Sequence, residues 1–353
     1  MADKLRRHLL GFHVPTTDSR KGFRLKQSTD EAGFHYVDMP TELEELSLHD
    51  GEHGPLPRAH ISQKVLMLAG VAGPFMGVVI GILLLWNYGW MGWWYLGLLL
   101  GGWALTGLGV TVGFHRLATH RSFETYRWVR AIWLSLGALS VEGSPLAWCA
   151  VHRRHHGRSD REGDPHSPHL HRRGLWGAIA GFIHSHVGWL FSGAWSRPDL
   201  EKYVPDLLKD RWLVIVDKCY VVFVFASLLV PALLGFLIDG TWFGTFLGFL
   251  WGGLVRIFLT HHVTWSINSV CHLFGRRPFN AGDHSTNNFL CALLGFGEGW
   301  HNNHHAFPTS ARHGLAWWQI DFSWLVICIM HRLGLAWNIK LPHPRTVEAK
   351  RAR

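Results

Sequence analysis

Paired cysteines are missing from this chain. The five present, Cys149, Cys219, Cys271, Cys291 and Cys328, are scattered and include no CxxC pair. That excludes a disulfide framework and a ferredoxin-type iron–sulfur cluster. Charge is also scarce: only 17% of residues are charged against 48% hydrophobic, and long stretches carry no charge at all. Such stretches argue against a water-soluble domain. No glycine-rich dinucleotide fingerprint occurs, and no basic motif or stacking platform for nucleic acid stands out. The formal net charge of +9 sits beside apolar runs, where attraction to an anionic membrane face explains it better than nucleic acid does. The first 60 residues are polar and lack a signal-peptide pattern.

In place of these features stand apolar length and tryptophan, 20 residues of it. Val65–Trp86, Trp90–Phe114 and Cys219–Ile238 each supply the ~20 residues that cross a bilayer core of about 30 Å. A fourth run, Trp242–Val255, continues past Arg256 towards His261 and His262. The spans are therefore placed at about 65–86, 90–114, 219–238 and 242–260. Tight turns at Asn87-Tyr-Gly and Asp239-Gly-Thr make two antiparallel hairpins. Trp128–Val151 is interrupted by Glu142 and Pro145, and Gly174–Trp195 by His184 and His186, so both read as interfacial helices. Leu315–Trp337 is broken by Asp321, His331 and Arg332 and is not read as a span. Residues 1–60 read as a mobile arm with a short helix over Pro40–Leu48, 61–342 as the functional domain and 343–353 as a basic tail. The expected fold is an all-α integral membrane protein with four transmembrane helices. The turns 87–89 and 239–241 have no Lys or Arg, whereas the histidine-bearing stretches and the N-terminus are rich in both. The positive-inside rule then places both termini and the histidine-bearing side in the cytoplasm.

Three short histidine clusters organise the chemistry: His115-Arg-Leu-Ala-Thr-His120, His152-Arg-Arg-His155-His156 and His301-Asn-Asn-His304-His305. In the last two the histidines fall at i, i+3 and i+4, one face of a helix. A lone histidine is usually packed or solvated, but grouped imidazoles at this spacing point to a metal. Eight imidazoles exceed the needs of one ion, so a binuclear site is the economical reading.

These strings resemble the membrane-bound fatty acid desaturases of the stearoyl (Δ9) type. The resemblance runs over roughly 60–342 and includes HRLATHRSF at His115–Phe123, HRRHHGRSD at His152–Asp160 and DPH at Asp164–His166. It continues through SHVGW at Ser185–Trp189, NSVCH at Asn268–His272 and GEGWHNNHHAFP at Gly297–Pro308. It implies four transmembrane helices with a cytosolic helical cap holding a di-iron site. It also implies nine ligands: His115, His120, His152, His155, His156, His272, His301, His304 and His305. Asn268 matches a position that reaches an iron through water. His272 is supplied by the resemblance alone. His166, His184, His186, His261, His262, His284 and His313 are read as packing or neighbouring contacts. Asp160, Asp164, Glu298 and Asp321 are either solvated or placed to orient ligand imidazoles through the second ring nitrogen.

The implied reaction takes two hydrogens from a long saturated acyl chain, consuming dioxygen and two electrons, to give a cis double bond and water. Unactivated C–H bonds offer no acidity to a base, so a redox metal must act: two irons (Fe2+/Fe3+), with dioxygen as co-substrate. Zinc lacks the redox chemistry. By resemblance Trp148, Thr264 and Trp265 line the bend of a substrate tunnel, and Trp103 and Gly107 limit chain length. Aromatic packing is the plainer alternative for the tryptophans. Cationic residues near the cap suit an acyl-carrier phosphate, anionic lipid or a negatively charged electron donor equally well. The chain has no fused electron-transfer domain, so electrons are expected from a separate ferredoxin or from a b-type cytochrome with its reductase. The expected partners are an acyl-CoA or acyl-lipid substrate, that donor and membrane lipid, and the expected location is a bacterial cytoplasmic membrane. A hydroxylase or ketolase on the same histidine scaffold is the nearest rival. A metal transporter would place ionisable groups along its spans, and these spans are nearly free of charge.

Overall fold

The structure, a computed structural model, describes residues 28–29, 33–37, 59–89, 92–195 and 200–352. The helix expected over Pro40–Leu48 lies outside them. Four helices are long and apolar enough to cross a membrane: α1 (Ile61–Tyr88), α2 (Trp93–Thr119), and two that follow the central polar stretch. That stretch forms α3 (Arg127–Ala138), α4 (Pro145–Arg158), α5 (Leu175–His186) and α6 (Arg211–Lys218). The remaining two long helices are α7 (Tyr220–Asp239) and α8 (Trp242–Leu273). Outward residues such as Leu66 and Leu237, each 68% exposed, leave broad apolar flanks whose natural solvent is lipid.

α7 and α8 approach closely because glycine faces glycine. A Cβ on Gly235 would lie 2.1 Å from the Gly244 carbonyl oxygen, and one on Gly248 2.1 Å from that of Pro231. Small residues of this kind let membrane helices pack backbone to backbone. The one guanidinium within these helices, that of Arg256, is buried and donates to the carbonyls of Gly252, Leu139 and Ser227. It thereby ties α8 to α7 and to the end of α3, since a buried charge must find acceptors.

The interrupted stretch around Glu142 resolves into two helices rather than one. Val141 (φ 64°) and Gly143 (φ 113°) adopt left-handed backbone there, and Pro145 then starts α4 where its missing N–H costs nothing. α3 and α5 have 12 residues each, about 18 Å at 1.5 Å per residue, too short for a bilayer core of ~30 Å. Beyond α8 come α9 (Phe289–Leu294), α10 (His301–Ala306), α11 (Phe322–Arg332) and α12 (Pro344–Ala349). α11 covers the Leu315–Trp337 stretch with only 11 residues.

The fold is helical with two small sheets at the cap. β1 (Ser28–Thr29), β2 (Phe34–Val37) and β5 (Ile339–Pro342) form one in the order β1-β2-β5; β3 (Glu124–Thr125) pairs with β4 (Ala336–Trp337) in the other. Part of the arm expected to be mobile is thus strand: β2 runs parallel to β5, pairing Phe34 with Ile339 and Val37 with Pro342. The Phe34 ring packs on Trp324 at 5.5 Å and on His331 at 5.3 Å, which anchors it. The main core lies where α2 meets α3 and α4, around Val110, Phe114, Leu134, Cys149 and Val151. A second core joins Val112, Leu117 and Phe123 to Ile327 and Ile339. Both cores grip the end of α2 that carries His115.

Candidate metal centre and adjoining cavity

The nine histidines converge at one end of the four long helices and separate into two groups. The first holds His115, His120, His152, His156 and His304; the second holds His155, His272, His301 and His305. Within each group the ligand atoms lie within 4.8 Å of one another. Helix geometry makes the division. On α4, His152 and His156 stand four apart on the face of the first group, while His155 turns to the second. On α10 the roles reverse: His301 and His305 go to the second group and His304 to the first. α8 contributes His272.

His115 and His120 are five apart, a spacing that would diverge on an α-helix. They meet because the last part of α2, Gly109–Thr119, is π-helical, and the His120 amide closes a wide turn by donating to the His115 carbonyl at 3.1 Å. Two glycines permit the close packing of this wide turn. A Cβ on Gly109 would sit 2.2 Å from the Gly137 nitrogen, and one on Gly113 2.7 Å from the Trp133 carbonyl oxygen.

Carboxylates fix the ring orientations. His155 Nδ1 donates to Asp164 at 3.0 Å, His272 Nδ1 to Asp160 at 3.0 Å, His305 Nδ1 to Asp283 at 2.5 Å, and His115 Nδ1 faces Glu298 at 2.5 Å. Burial alone would raise the Asp164 carboxyl, but the His155 imidazole overrides it and holds the group at about 2. Asp160 and Asp283 are likewise held well below the usual range, against burial, by His272 and His305. Burial first, and then neighbouring imidazoles, push His152, His156, His301 and His304 well below the ordinary histidine value.

The donor set fits cations. An imidazole that donates from Nδ1 presents a bare lone pair at Nε2. His155 Nε2 faces His305 Nε2 at 3.4 Å although both rings donate from Nδ1. In the first group His304 Nε2 lies 3.0 Å from His115 Nε2 and 2.9 Å from His156 Nε2. Lone pairs converging in a buried place need a positive ion between them.

A cavity adjoins both groups. Trp103, Gly107 and Thr111 of α2, Val263, Thr264, Ile267 and Asn268 of α8, and Phe296 form much of its wall. His115 and His152 of the first group and His155 and His301 of the second face it, as does Trp148. The Trp148 ring stacks on His152 at 5.0 Å and 18°, while its Nε1 donates to Glu142 at 3.3 Å. Trp265 stands apart from this wall. It is buried in the core, with its ring 5.0 Å from His261 and 5.1 Å from His262.

Of the histidines read as neighbours, His166 packs on His155 at 4.3 Å and His313 lies 4.5 Å from His304. His261 contacts the Ser140 and Val141 carbonyls. His186 pairs with His262 and Ser269, His184 lies near His171, and the His284 amide donates to Asp160. Asp321 touches no imidazole of the nine. It accepts from Arg116 and from the amides of His313, Gly314 and Trp324, and Arg116 in turn reaches Glu298. Asp283 and Glu142 carried no sequence signal for these roles, because each meets its partner only through the folded chain.

The model of the family described as Fatty acid desaturase matches residues 88–327. A hex-5-enoyl-[acyl-carrier protein] acetylenase of Moorena producens is 43% identical over 286 residues, 79% of this chain and 86% of the relative. An sn-1 stearoyl-lipid 9-desaturase of Anabaena variabilis is 41% identical over 268 residues, covering 76% and 92%. An acyl-CoA C20 Delta5-desaturase of Anemone leveillei is 40% identical over 247 residues, covering 69% and 73%. A match over most of the chain, together with the convergent histidines, leads to one conclusion: the chain belongs to the fatty acid desaturase family and is an oxidoreductase.

Proposed function

We propose that this protein introduces a cis double bond, at the Δ9 position, into a long saturated acyl chain. The carrying observation is the cavity whose lining combines apolar residues of α2 and α8 with imidazoles of both groups. A segment of an acyl chain entering it has C–H bonds beside the metal-binding atoms. His115, His120, His152, His156 and His304 hold one iron. His155, His272, His301 and His305 hold the other, with Asn268 acting through a water. Bound iron supplies the dioxygen-dependent redox chemistry that no side chain possesses. The protein's own work is orientation: Asp160, Asp164, Asp283 and Glu298 hold four rings from behind. Trp148 and Thr264 shape the cavity beside them. Overall, two hydrogens of the chain, two external electrons and two protons combine with dioxygen to give two waters.

The electrons come from a separate ferredoxin or a b-type cytochrome with its reductase. The relatives are named for carrier-protein, lipid and coenzyme A substrates, so the acyl group is carried as a thioester or a lipid. The four long helices cross a bacterial cytoplasmic membrane, with the histidine end and both termini in the cytoplasm. The absence of Lys and Arg from the turns 87–89 and 239–241 supports that orientation.

The relative named an acetylenase favours a second reading, in which two hydrogens leave an already unsaturated chain and a triple bond results. Both readings are tested in a host lacking an aerobic desaturase, supplied with a compatible donor. The wild type is expected to give a new Δ9 cis-monounsaturated acid. His304→Ala, which removes the ring facing both His115 and His156, is expected to give none at equal membrane abundance. Acetylenic products would favour the second reading; hydroxylated or keto products would overturn both.

A further inference from the structure

We propose that a groove on the cap, between α9, α11 and α12, binds an anionic phospholipid. It shares no lining residue with the cavity beside the histidines. The proposal rests on the reading above that the four long helices cross a bilayer. The groove has a volume of about 1570 Å³, beyond the ~300–1,000 Å³ of ordinary small-molecule sites, so it has room for a ligand with long chains. Its wall is apolar at Phe289, Trp318, Leu325 and Ile329 and cationic at Arg276, Arg312, Arg332 and Arg351. Glu348 is the one acid among the described lining residues, and it pairs with Arg351 at 3.0 Å. Arg276 and Arg332 are exposed and make no ion pair among the described residues. Acyl chains match the apolar wall and a phosphate matches the guanidinium groups, as in basic pockets beside membrane helices.

The fold sets this groove at the membrane surface. α11 exposes Phe322, Leu325 and Ile329, with Leu333 just past its end, while Ser323, Ile327 and Met330 are buried. The exposed four stand three and four positions apart and form one apolar stripe. A short helix with an outward apolar stripe lies in the plane of the interface. α2 fixes its level. Ser323 Oγ is 2.7 Å from Thr111 Oγ1. Thr111 stands eighteen positions past Trp93, where α2 begins, roughly 27 Å at 1.5 Å per residue and so at the far edge of a ~30 Å core. The Phe322 ring packs on Phe296 at 6.5 Å, and Phe296 lies 4.8 Å from the Trp103 ring. Phe296 also fills the space over Gly107, where a Cβ would come within 2.4 Å of it. The start of α11 is thereby held against the apolar part of α2. Trp317 and Trp318, exposed just before α11, are the residue type that settles at headgroup depth. Arg332 ends the same helix and so stands beside the stripe at the level of lipid phosphates. Trp300 and Asn303 also line the groove. They neighbour His301 and His304 along the chain, so a bound lipid braces the back of the metal-holding α10.

The test uses the metal-loaded full chain in detergent, washed free of lipid. Thermal unfolding is followed while phosphatidylglycerol, phosphatidylcholine with the same chains, or glycerol phosphate is added. Phosphatidylglycerol should raise the unfolding temperature at the lowest concentration, and glycerol phosphate, an anionic head without chains, should leave it unchanged. In Arg276→Gln/Arg332→Gln the phosphatidylglycerol concentration giving half the rise should grow by about thirtyfold, through loss of two basic side chains beside an anionic lipid. Ile329→Asn, which keeps the arginines, should weaken the response to both lipids. Arg172→Gln/Arg173→Gln, an exposed pair outside the groove, should respond as the wild type does. Equal rises with the two lipids, an unchanged titration in the Arg276/Arg332 variant, or an equal rise with glycerol phosphate would each overturn the proposal. So would slower reduction of the bound metal by reduced ferredoxin in that variant at an unchanged lipid titration, which would make the groove a docking face for an acidic protein. A wild type released from membranes without detergent would instead refute the membrane reading.

Discussion

The two groups of imidazoles share α4 and α10, with His115 and His120 at the end of α2 completing the first and His272 of α8 the second, yet they are braced by different chemistry. The second group has four rings, three of which donate to carboxylates: His155 to Asp164, His272 to Asp160 and His305 to Asp283. The first has five rings and one carboxylate, Glu298 behind His115. In the first group the support is aromatic: Trp148 stacks on His152 and sits edge-on to His115 at 5.9 Å. Carboxylates make a ring more basic and fix its tautomer; an indole only fixes its plane. The second group is thus the better neutralised site for a divalent ion. The first also carries the positive charge of Arg116, whose side chain bonds to Asp321 and His313.

Removing the carboxylates is the strongest way to break this comparison. Asp283→Asn and Asp160→Asn should each weaken metal binding by about 10- to 100-fold, and the metal content of the purified protein should fall from two ions per chain towards one. Equal loss from both groups would mean the bracing is shared. Glu298→Gln is expected at the lower end of that range, acting on the first group, and its metal content and product rate are measured alongside.

A smaller effect is expected from Trp148→Phe, which keeps a ring against His152 but loses the hydrogen bond to Glu142. One net hydrogen bond contributes about 1 kcal/mol, so roughly a fivefold fall in product rate should follow at unchanged metal content. Metal loss in this variant would make the indole more than a wall.

The smallest expected effect is a pH slope. Desolvation pushes the Glu142 carboxyl up to about 7, with Thr264 and Trp148 hydrogen bonds opposing it. The unfolded chain has a glutamate value of about 4.3, so the folded form keeps a proton the unfolded form releases. Its stabilisation is complete below about pH 4.3 and is lost as pH rises through about 7. Thermal unfolding in detergent across that window should therefore flatten in Glu142→Gln. An unchanged slope would assign the titration to another group.

Local pattern made much of the molecule legible. Charge-free apolar runs located the four long helices because a bilayer core demands about 20 such residues in sequence. The i, i+3, i+4 spacing of His152, His155 and His156 located a metal-binding face because an α-helix repeats every 3.6 residues. The same periodicity could not place His120 beside His115, since only π-helical winding of α2 does so. Nor could it pair β2 with β5, whose partners stand about three hundred positions apart.

By itself, then, the sequence determined what can bind metal and what can enter lipid, because both are properties of residue type and short-range spacing. The tertiary structure alone decided how the nine histidines divide between two groups and which carboxylate stands behind each ring. Asp160 reaches His272 across 112 positions. It likewise decided that Phe296 should meet Gly107 and that Trp265 should lie off the cavity wall. Such contacts are set where separate helices cross, and no periodicity within one segment encodes the place where another will meet it.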